Sequence, residues 1–170
     1  MANAKDIQIT VNLEPQVDPL CLAPGLIEQV LLNLLDNACK FTPKAGEIEI
    51  RGYPFFWDRR AVWSATGLAV ERRRQASRKP NVYRIDIVDS GMPTPAEHLE
   101  NIFEEYTSYS GGHDRSGEGL GLAICRMIVT QHDGRIWAEN TEKGPAFSFV
   151  LPFGSTNPSN LNYTEEFQEK

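Results

Sequence analysis

The sequence of 170 residues has the length of one globular domain, enough to bury about 70% of its unfolded surface. Hydrophobic residues make up 41% of the chain and charged residues 24%, a composition that excludes a disordered or fibrous protein. No apolar run approaches the roughly 20 residues of a membrane-spanning helix, and residues 1–15 lack the apolar core of a signal peptide. We therefore expect a cytoplasmic location, with any membrane anchor in another part of a longer protein.

The net charge of −6 is unevenly distributed along the chain. Residues 58–79 carry seven basic and two acidic side chains, so this segment has a charge of +5 and the remainder has −11. An acidic body argues against nucleic-acid binding, whereas the basic segment favours a local anionic partner.

In the first half of the chain, alternation of polar and apolar residues predicts half-buried strands at 6–13 and 47–53. Between them, residues 26–41 are predicted to form a helix that ends before Pro43. A third strand is expected at 83–88. The intervening segment, residues 54–80, is far longer than a hairpin requires, and we predict a helix at 61–77 within it.

The second half begins with a predicted short helix at 96–106 and a loop at 107–119. A longer helix at 120–132, capped by Gly134, and strands at 135–139 and 146–151 complete the domain. The pattern predicts an α/β (α+β) two-layer sandwich over residues 1–153, in which helices cover one face of a mixed, largely antiparallel sheet. Residues 154–170 are polar and are expected to form a flexible tail.

The first candidate functional segment is the polar side of the predicted helix at 26–41. Asn33, Asn37 and Lys40 recur at spacings of four and three, which places them on one helix face. Amides on an otherwise apolar helix are costly unless they find partners, so the stripe is either a solvated domain edge or a binding site. In the second case an Asn oxygen suits Mg²⁺, and Lys40 suits the phosphates of a nucleotide.

The second segment is the glycine-rich run Gly117-Glu118-Gly119-Leu120-Gly121-Leu122, which leads directly into a helix. Glycines allow backbone N–H groups to approach an anion, and a helix N-terminus adds a partial positive charge. No strand precedes the run, so it is not a dinucleotide-binding fingerprint. We interpret it as part of a mobile lid over a phosphate site, in preference to a plain flexible connection.

The third segment is Asp89-Ser90-Gly91, at the end of a predicted buried strand. An Asp at this position often only caps a turn. It is equally suited to accept a hydrogen bond from an exocyclic amine, which is how a protein recognises adenine.

Together, these three segments resemble the catalytic ATP-binding domain of two-component sensor histidine kinases, which have the Bergerat fold of the gyrase, heat-shock chaperone and MutL ATPases. Residues 28–43 are similar to the N box of that family, residues 102–106 to its F box and residues 117–122 to its second glycine box. The resemblance implies that Asn37 holds Mg²⁺, that Asn33, Lys40 and Arg115 lie near the phosphates, and that Asp89 contacts adenine. The remaining residues that it implies in nucleotide binding are Gly91, Phe103, Tyr106, Gly117, Gly119, Leu120, Gly121 and Leu122.

The implied function is to bind Mg²⁺-ATP and to donate its γ-phosphoryl group to a histidine on a separate phosphoacceptor domain, and through it to a response regulator. The related ATPases carry a water-activating Glu where this chain has Asn33, and an amide cannot accept a proton, so hydrolysis should be slow. His98, His113 and His132 are poor candidates for the acceptor. We therefore expect the acceptor in another domain or another chain, and we expect the isolated domain to be monomeric.

Two departures from the family pattern leave an alternative open. Pro93 stands where the first glycine box has its second Gly, and the turn at 143–147 is shorter than usual. Proline fixes φ and has no N–H, so the adenine pocket must be reshaped. A degenerate domain that serves as a protein-binding module is the alternative. The insertion at 54–80 is then either a solvated basic helix or a docking surface for a protein partner.

Overall fold

A computed structural model describes residues 5–59, 78–104 and 120–154 of the chain. The predicted helix at 61–77 and the predicted loop at 107–119 lie outside these residues. Within them, no helix is both long enough and apolar enough to span a bilayer.

The five strands form one mixed sheet in the order β1-β2-β3-β5-β4. They are β1 (Gln8–Leu13), β2 (Glu47–Phe55), β3 (Val82–Asp89), β4 (Arg135–Thr141) and β5 (Gly144–Pro152). The β1–β2 pair is parallel and the other three pairs are antiparallel, which confirms the predicted fold class. Strand β5 lies between β3 and β4, and all nine of its residues are buried.

In the described part of the chain, two α-helices, α1 (Pro24–Phe41) and α2 (Gly121–Gln131), pack on one face of the sheet. Pro24 occupies the first turn of α1, where its missing N–H costs nothing. The side of α1 that carries Val30, Leu34 and Ala38 is fully buried in the main core, together with Ile87 and Phe149 of the central strands. The prediction that helices cover one face is therefore confirmed.

His132 joins the two helices at their ends. Its Nε2 accepts a hydrogen bond from the Ala23 N–H (3.0 Å), directly before α1, and its Nδ1 lies 2.8 Å from the Ile128 carbonyl in α2. The ring is only 2% exposed. Both nitrogens are occupied, so His132 has a structural role and is not available as a phosphoacceptor.

The opposite face of the sheet holds a second, smaller cluster around a buried arginine. Arg84 donates to Asp86 (2.7 Å) and Glu139 (3.0 Å), and its guanidinium lies 4.8 Å from the centre of the Trp137 ring. Phe55 packs in the same cluster. The two carboxylates and the aromatic rings compensate the charge that burial takes from water.

Two local predictions were wrong. Strand β1 is not half-buried, since all six of its residues are exposed. The reason is that β1 is an edge strand, and the helices do not cover its apolar residues Ile9, Val11 and Leu13. Over residues 96–104, which the structure describes, the predicted helix at 96–106 is reduced to a single 3-10 turn at Ala96–His98 followed by turns. Leu99, Ile102 and Phe103 recur at helical spacing, so the pattern favoured a helix, whereas the structure buries Phe103 from a series of turns.

After α2, Asp133 adopts the left-handed conformation, with φ of 55°. The Gly134 N–H donates to the Val129 carbonyl (2.9 Å), so Gly134 takes part in capping the helix, as predicted. A Cβ at this position would collide with the Val150 carbonyl.

Two hydrogen bonds between Trp57 and Asn81, called here the Trp57–Asn81 clasp, join the points at which the chain leaves and rejoins the sheet. The Trp57 N–H donates to Asn81 Oδ1 (2.7 Å), and Asn81 Nδ2 donates to the Trp57 carbonyl (2.9 Å). Phe55 and Trp57 are each 8% exposed, so these two rings of the 54–80 segment are not part of an open docking surface. The 54–80 insertion stays a prediction, although Pro54 and Phe55 belong to β2.

Candidate functional site

Helix α1 positions the first set of candidate residues. Its C-terminus is firmly fixed, because the Thr42 hydroxyl and N–H both donate to the Ala38 carbonyl (2.6 and 2.9 Å). The ammonium group of Lys5 donates to three further carbonyls at this end, those of Cys39, Lys40 and Thr42, at 2.7 to 3.1 Å. A cation at this position also interacts favourably with the helix dipole.

Asn37 lies half-buried on the polar side of α1, and its amide makes no hydrogen bond with any residue that the structure describes. Asn33, one turn earlier, donates from Nδ2 to the Gly121 carbonyl (3.3 Å). Lys40 is exposed, with its Nζ 5.6 Å from the centre of the Phe41 ring. The Asn33 bond thus joins α1 to the first residue of α2, and the Asn37 carbonyl oxygen remains available for a ligand.

Asp89 ends strand β3 with its side chain 2% exposed. Its Oδ1 accepts a hydrogen bond from the Gly91 N–H (2.8 Å). Burial raises the pKa of the Asp89 carboxyl, an effect that the Gly91 hydrogen bond partly offsets. A buried acceptor at the end of a central strand has the position required to receive a hydrogen bond from a base.

Two glycines allow the backbone to approach Asp89 closely. A Cβ on Gly91 would lie 2.5 Å from Asp89 Oδ1 and 2.9 Å from the Phe41 carbonyl oxygen. Gly144, in the turn between β4 and β5, has a φ of +138°, and a Cβ there would overlap the Asp89 carbonyl. The end of β3 therefore meets both the C-terminus of α1 and the β4–β5 turn.

The other predicted residues have different positions. Phe103 is 3% exposed and packs edge-to-face against Phe147 (6.1 Å between ring centres), so it belongs to the main core. Leu120, Gly121 and Leu122 are half-buried at the start of α2, where helix N–H groups have no partner within the helix. Four predicted residues lie outside the described part of the chain: Tyr106, Arg115, Gly117 and Gly119.

Sequence reasoning missed two residues that shape this region. Lys5 binds the end of α1 from 34 or more positions away, and Asn140 of β4 binds the backbone of Thr94 from 46 positions away. No local pattern reveals which residues make such contacts. The short Pro93-Thr94-Pro95 sequence signals only that the loop has a single backbone N–H in three residues, and it does not point to Asn140.

The chain belongs to the family of histidine kinase-, DNA gyrase B- and HSP90-like ATPases, whose sequence profile matches residues 23–155. Its fold is that of the histidine kinase catalytic domains. The structure of the catalytic domain of histidine kinase ThkA, in a nucleotide-free form, superposes with a TM-score of 0.66 at 27% identity, covering 89% of this chain and 82% of that one. The chain is therefore an ATP-binding domain of the histidine kinase type.

Among curated proteins, the adaptive-response sensory kinase SasA of Synechococcus sp. (strain JA-3-3Ab) is 31% identical over 150 residues, or 88% of this chain. The match covers 34% of SasA, so the chain spans about a third of that relative. A structure of ThkA in complex with the response regulator TrrA is also similar, with a TM-score of 0.61 at 27% identity, covering 89% of this chain and 36% of that one.

Proposed function

We propose that this domain binds Mg²⁺-ATP and donates the γ-phosphoryl group to a histidine on a separate phosphoacceptor domain. The observation that carries the proposal is the amide of Asn37, which makes no hydrogen bond with the residues that the structure describes. It is half-buried, so a ligand can reach it, and it lies on the side of α1 that also carries Lys40. Mg²⁺ prefers oxygen ligands and takes few of them from the protein when phosphates supply the rest.

Phosphoryl transfer requires that the nucleotide is positioned and that the charge of its phosphates is neutralised, and the residues of the site contribute to both. The Asn37 oxygen holds the metal ion, and Lys40 contributes a positive charge beside the phosphates. Asp89 accepts a hydrogen bond from the adenine amine. A Mg²⁺ ion held by Asn37 would supply Lewis-acid neutralisation of the negative charge on the phosphate oxygens.

Asn33 explains why the phosphoryl group is kept for another acceptor. Its amide does not accept a proton, and its Nδ2 is already committed to the Gly121 carbonyl (3.3 Å). Water in the site is therefore not activated by this side chain. The phosphoacceptor histidine lies in another domain of the same protein or in another chain, and a response regulator receives the phosphoryl group from it, as the ThkA–TrrA complex suggests by analogy.

The decisive variant is Asn37→Ala, with Asn12→Ala as its control. Asn12 lies on the exposed strand β1, and its amide makes one exposed hydrogen bond, to Glu49 (3.5 Å). We expect isothermal titration calorimetry to show Mg²⁺-dependent ATP binding for the native chain and the Asn12 variant, and none for Asn37→Ala. Equal affinity in all three proteins would refute the assignment of Asn37.

A second candidate function, that of a degenerate domain serving as a protein-binding module, is favoured by Pro93. This residue offers no N–H where the family has a glycine. This second function predicts that the chain does not bind ATP at millimolar concentration and that it binds a protein partner through residues 54–80. The same titration of the native chain separates the two functions.

A further inference from the structure

The loop that follows Asp89 has few backbone N–H groups with which it can form hydrogen bonds. Pro93 and Pro95 have no N–H, so Thr94 supplies the only backbone donor of these three residues. Met92, at the start of this stretch, is 88% exposed. In the family pattern a glycine stands at the position of Pro93, so this loop needs another means of support.

Asn140 of strand β4 binds both backbone groups of Thr94. The Thr94 N–H donates to Asn140 Oδ1 (2.9 Å), and Asn140 Nδ2 donates to the Thr94 carbonyl (2.7 Å). The orientation of the amide is unambiguous, because an N–H requires an acceptor and a carbonyl requires a donor. A side chain 46 positions away thus fixes the centre of the Pro-Thr-Pro segment.

The same hairpin also lies close to the beginning of the loop. A Cβ on Gly144, four residues after Asn140, would overlap the Asp89 carbonyl oxygen and would lie 3.3 Å from that of Gly91. Asn140 and Gly144 both belong to the β4–β5 hairpin, in which Thr141 pairs with Gly144 and Asn140 pairs with Pro145. The hairpin therefore bonds the centre of the loop through Asn140 and packs against its beginning, beside Asp89.

We propose that Asn140 is a positioning residue for adenine recognition: it holds the Gly91–Pro95 loop in the shape that presents Asp89 to the base. The inference rests on the proposed function, since it concerns the adenine end of the same nucleotide site. Asn140 itself is exposed and does not act on the phosphates. Its loss is expected to weaken ATP binding and to reduce the preference for ATP over GTP.

The structure supplies a matched control in Asn81. This residue makes the same pair of hydrogen bonds, to the N–H and carbonyl of Trp57, at the opposite end of β3. Asn81 lies eight positions before Asp89, a distance of about 26 Å along the strand at about 3.3 Å per residue. Asn81→Ala therefore removes equivalent bonds without touching the nucleotide site.

The experiment is calorimetric titration of the native chain, Asn140→Ala, Asn140→Asp and Asn81→Ala with Mg²⁺-ATP and Mg²⁺-GTP. We expect Asn140→Ala to raise the Kd for ATP about five- to tenfold, as the loss of two hydrogen bonds allows, and to lower the ATP/GTP preference. Asn140→Asp keeps the acceptor for the Thr94 N–H and should fall between. Asn81→Ala should leave both quantities at native values, while thermal denaturation confirms that every variant folds.

Two results would overturn the inference. In one, Asn140→Ala keeps the native Kd and nucleotide preference while Asp89→Asn abolishes binding; the proposed function then stands without a role for Asn140. In the other, Asn81→Ala weakens ATP binding as much as Asn140→Ala, so that both act through overall stability. If the native chain binds no nucleotide, the proposed function fails, and the inference fails with it.

Discussion

At the scale of the residue, Asp89 shows how a binding group is kept at a cost to stability. Burial raises the pKa of its carboxyl above the ordinary value of 3.8, so the folded protein binds this proton more tightly than the unfolded chain does. The stability that Asp89 contributes is therefore complete below about pH 3.8 and is lost as the pH rises through the raised pKa. At neutral pH the ionised carboxylate lowers the free energy of unfolding, but it is a strong hydrogen-bond acceptor for an amine.

The substitution Asp89→Asn tests this account, because the amide resembles the protonated carboxyl. We expect the free energy of unfolding of the variant, relative to the native protein, to be highest near pH 7 and to decline as the pH falls towards 4. Urea denaturation at several pH values measures it, with Asp36→Asn on the exposed side of α1 as the comparison. A difference that grows on acidification would contradict the raised pKa. Adenine-nucleotide binding should be lost in Asp89→Asn at every pH.

The residues of the candidate site were predictable from sequence to very different degrees. Asn33, Asn37 and Lys40 lie on one helix, so their spacing alone placed them together. Asp89 was predictable as a polar residue that ends a buried strand. Asn140 and Lys5 were not, because their partners are brought to them only by the pairing of distant strands and by the chain entering beside α1.

At the scale of the element, the Trp57–Asn81 clasp lies at the opposite end of β3 from Asp89. Arg59 lies over the Trp57 ring (5.3 Å) and Arg78 over the Phe56 ring (4.9 Å) at this point. The clasp is about 26 Å from Asp89 along β3. Because charges in physiological salt are screened over about 8 Å, we expect Arg59 and Arg78 to contribute little to nucleotide binding.

Replacing residues 58–80 by a Gly-Asn-Gly linker is therefore expected to preserve both the fold and the affinity for Mg²⁺-ATP. The loss of the two arginine–aromatic contacts should lower the free energy of unfolding by about 1–2 kcal/mol. Circular dichroism, urea denaturation and calorimetric titration measure the three quantities. Loss of nucleotide binding in a folded deletion variant would show that the insertion belongs to the site.

Elements with a long periodic pattern were predicted well, and short ones were not. Helix α1 combines an apolar face with a stop at Thr42-Pro43, so its range was predicted within two residues. Strand β1 alternates as clearly, but alternation does not reveal whether a helix lies over the apolar side. The burial of a strand is decided by its neighbours in the sheet, which the sequence pattern does not contain.

At the scale of the whole molecule, binding of a ligand to the folded state raises the free energy of unfolding. A ligand at 100 times its Kd adds about 2.7 kcal/mol to the free energy of unfolding. For a chain of this size each kcal/mol raises Tm by about 2–4 °C, so saturating Mg²⁺-ATP should raise Tm by about 5–10 °C. Differential scanning fluorimetry measures the shift, and EDTA should reverse it. A native chain with the same Tm at millimolar ATP would support the protein-binding module instead.

The exposed strand β1 has a consequence for how the domain opens. It is bonded to the sheet along one edge only, and its parallel partner β2 is reached through the long connection that contains α1. Such an element has a low free energy of local unfolding, so its amide protons should exchange with solvent earlier than those of β3 and β5. A force applied to the N-terminal end would therefore separate Lys5 from the end of α1 and β1 from the sheet, while the central strands that position Asp89 remain folded.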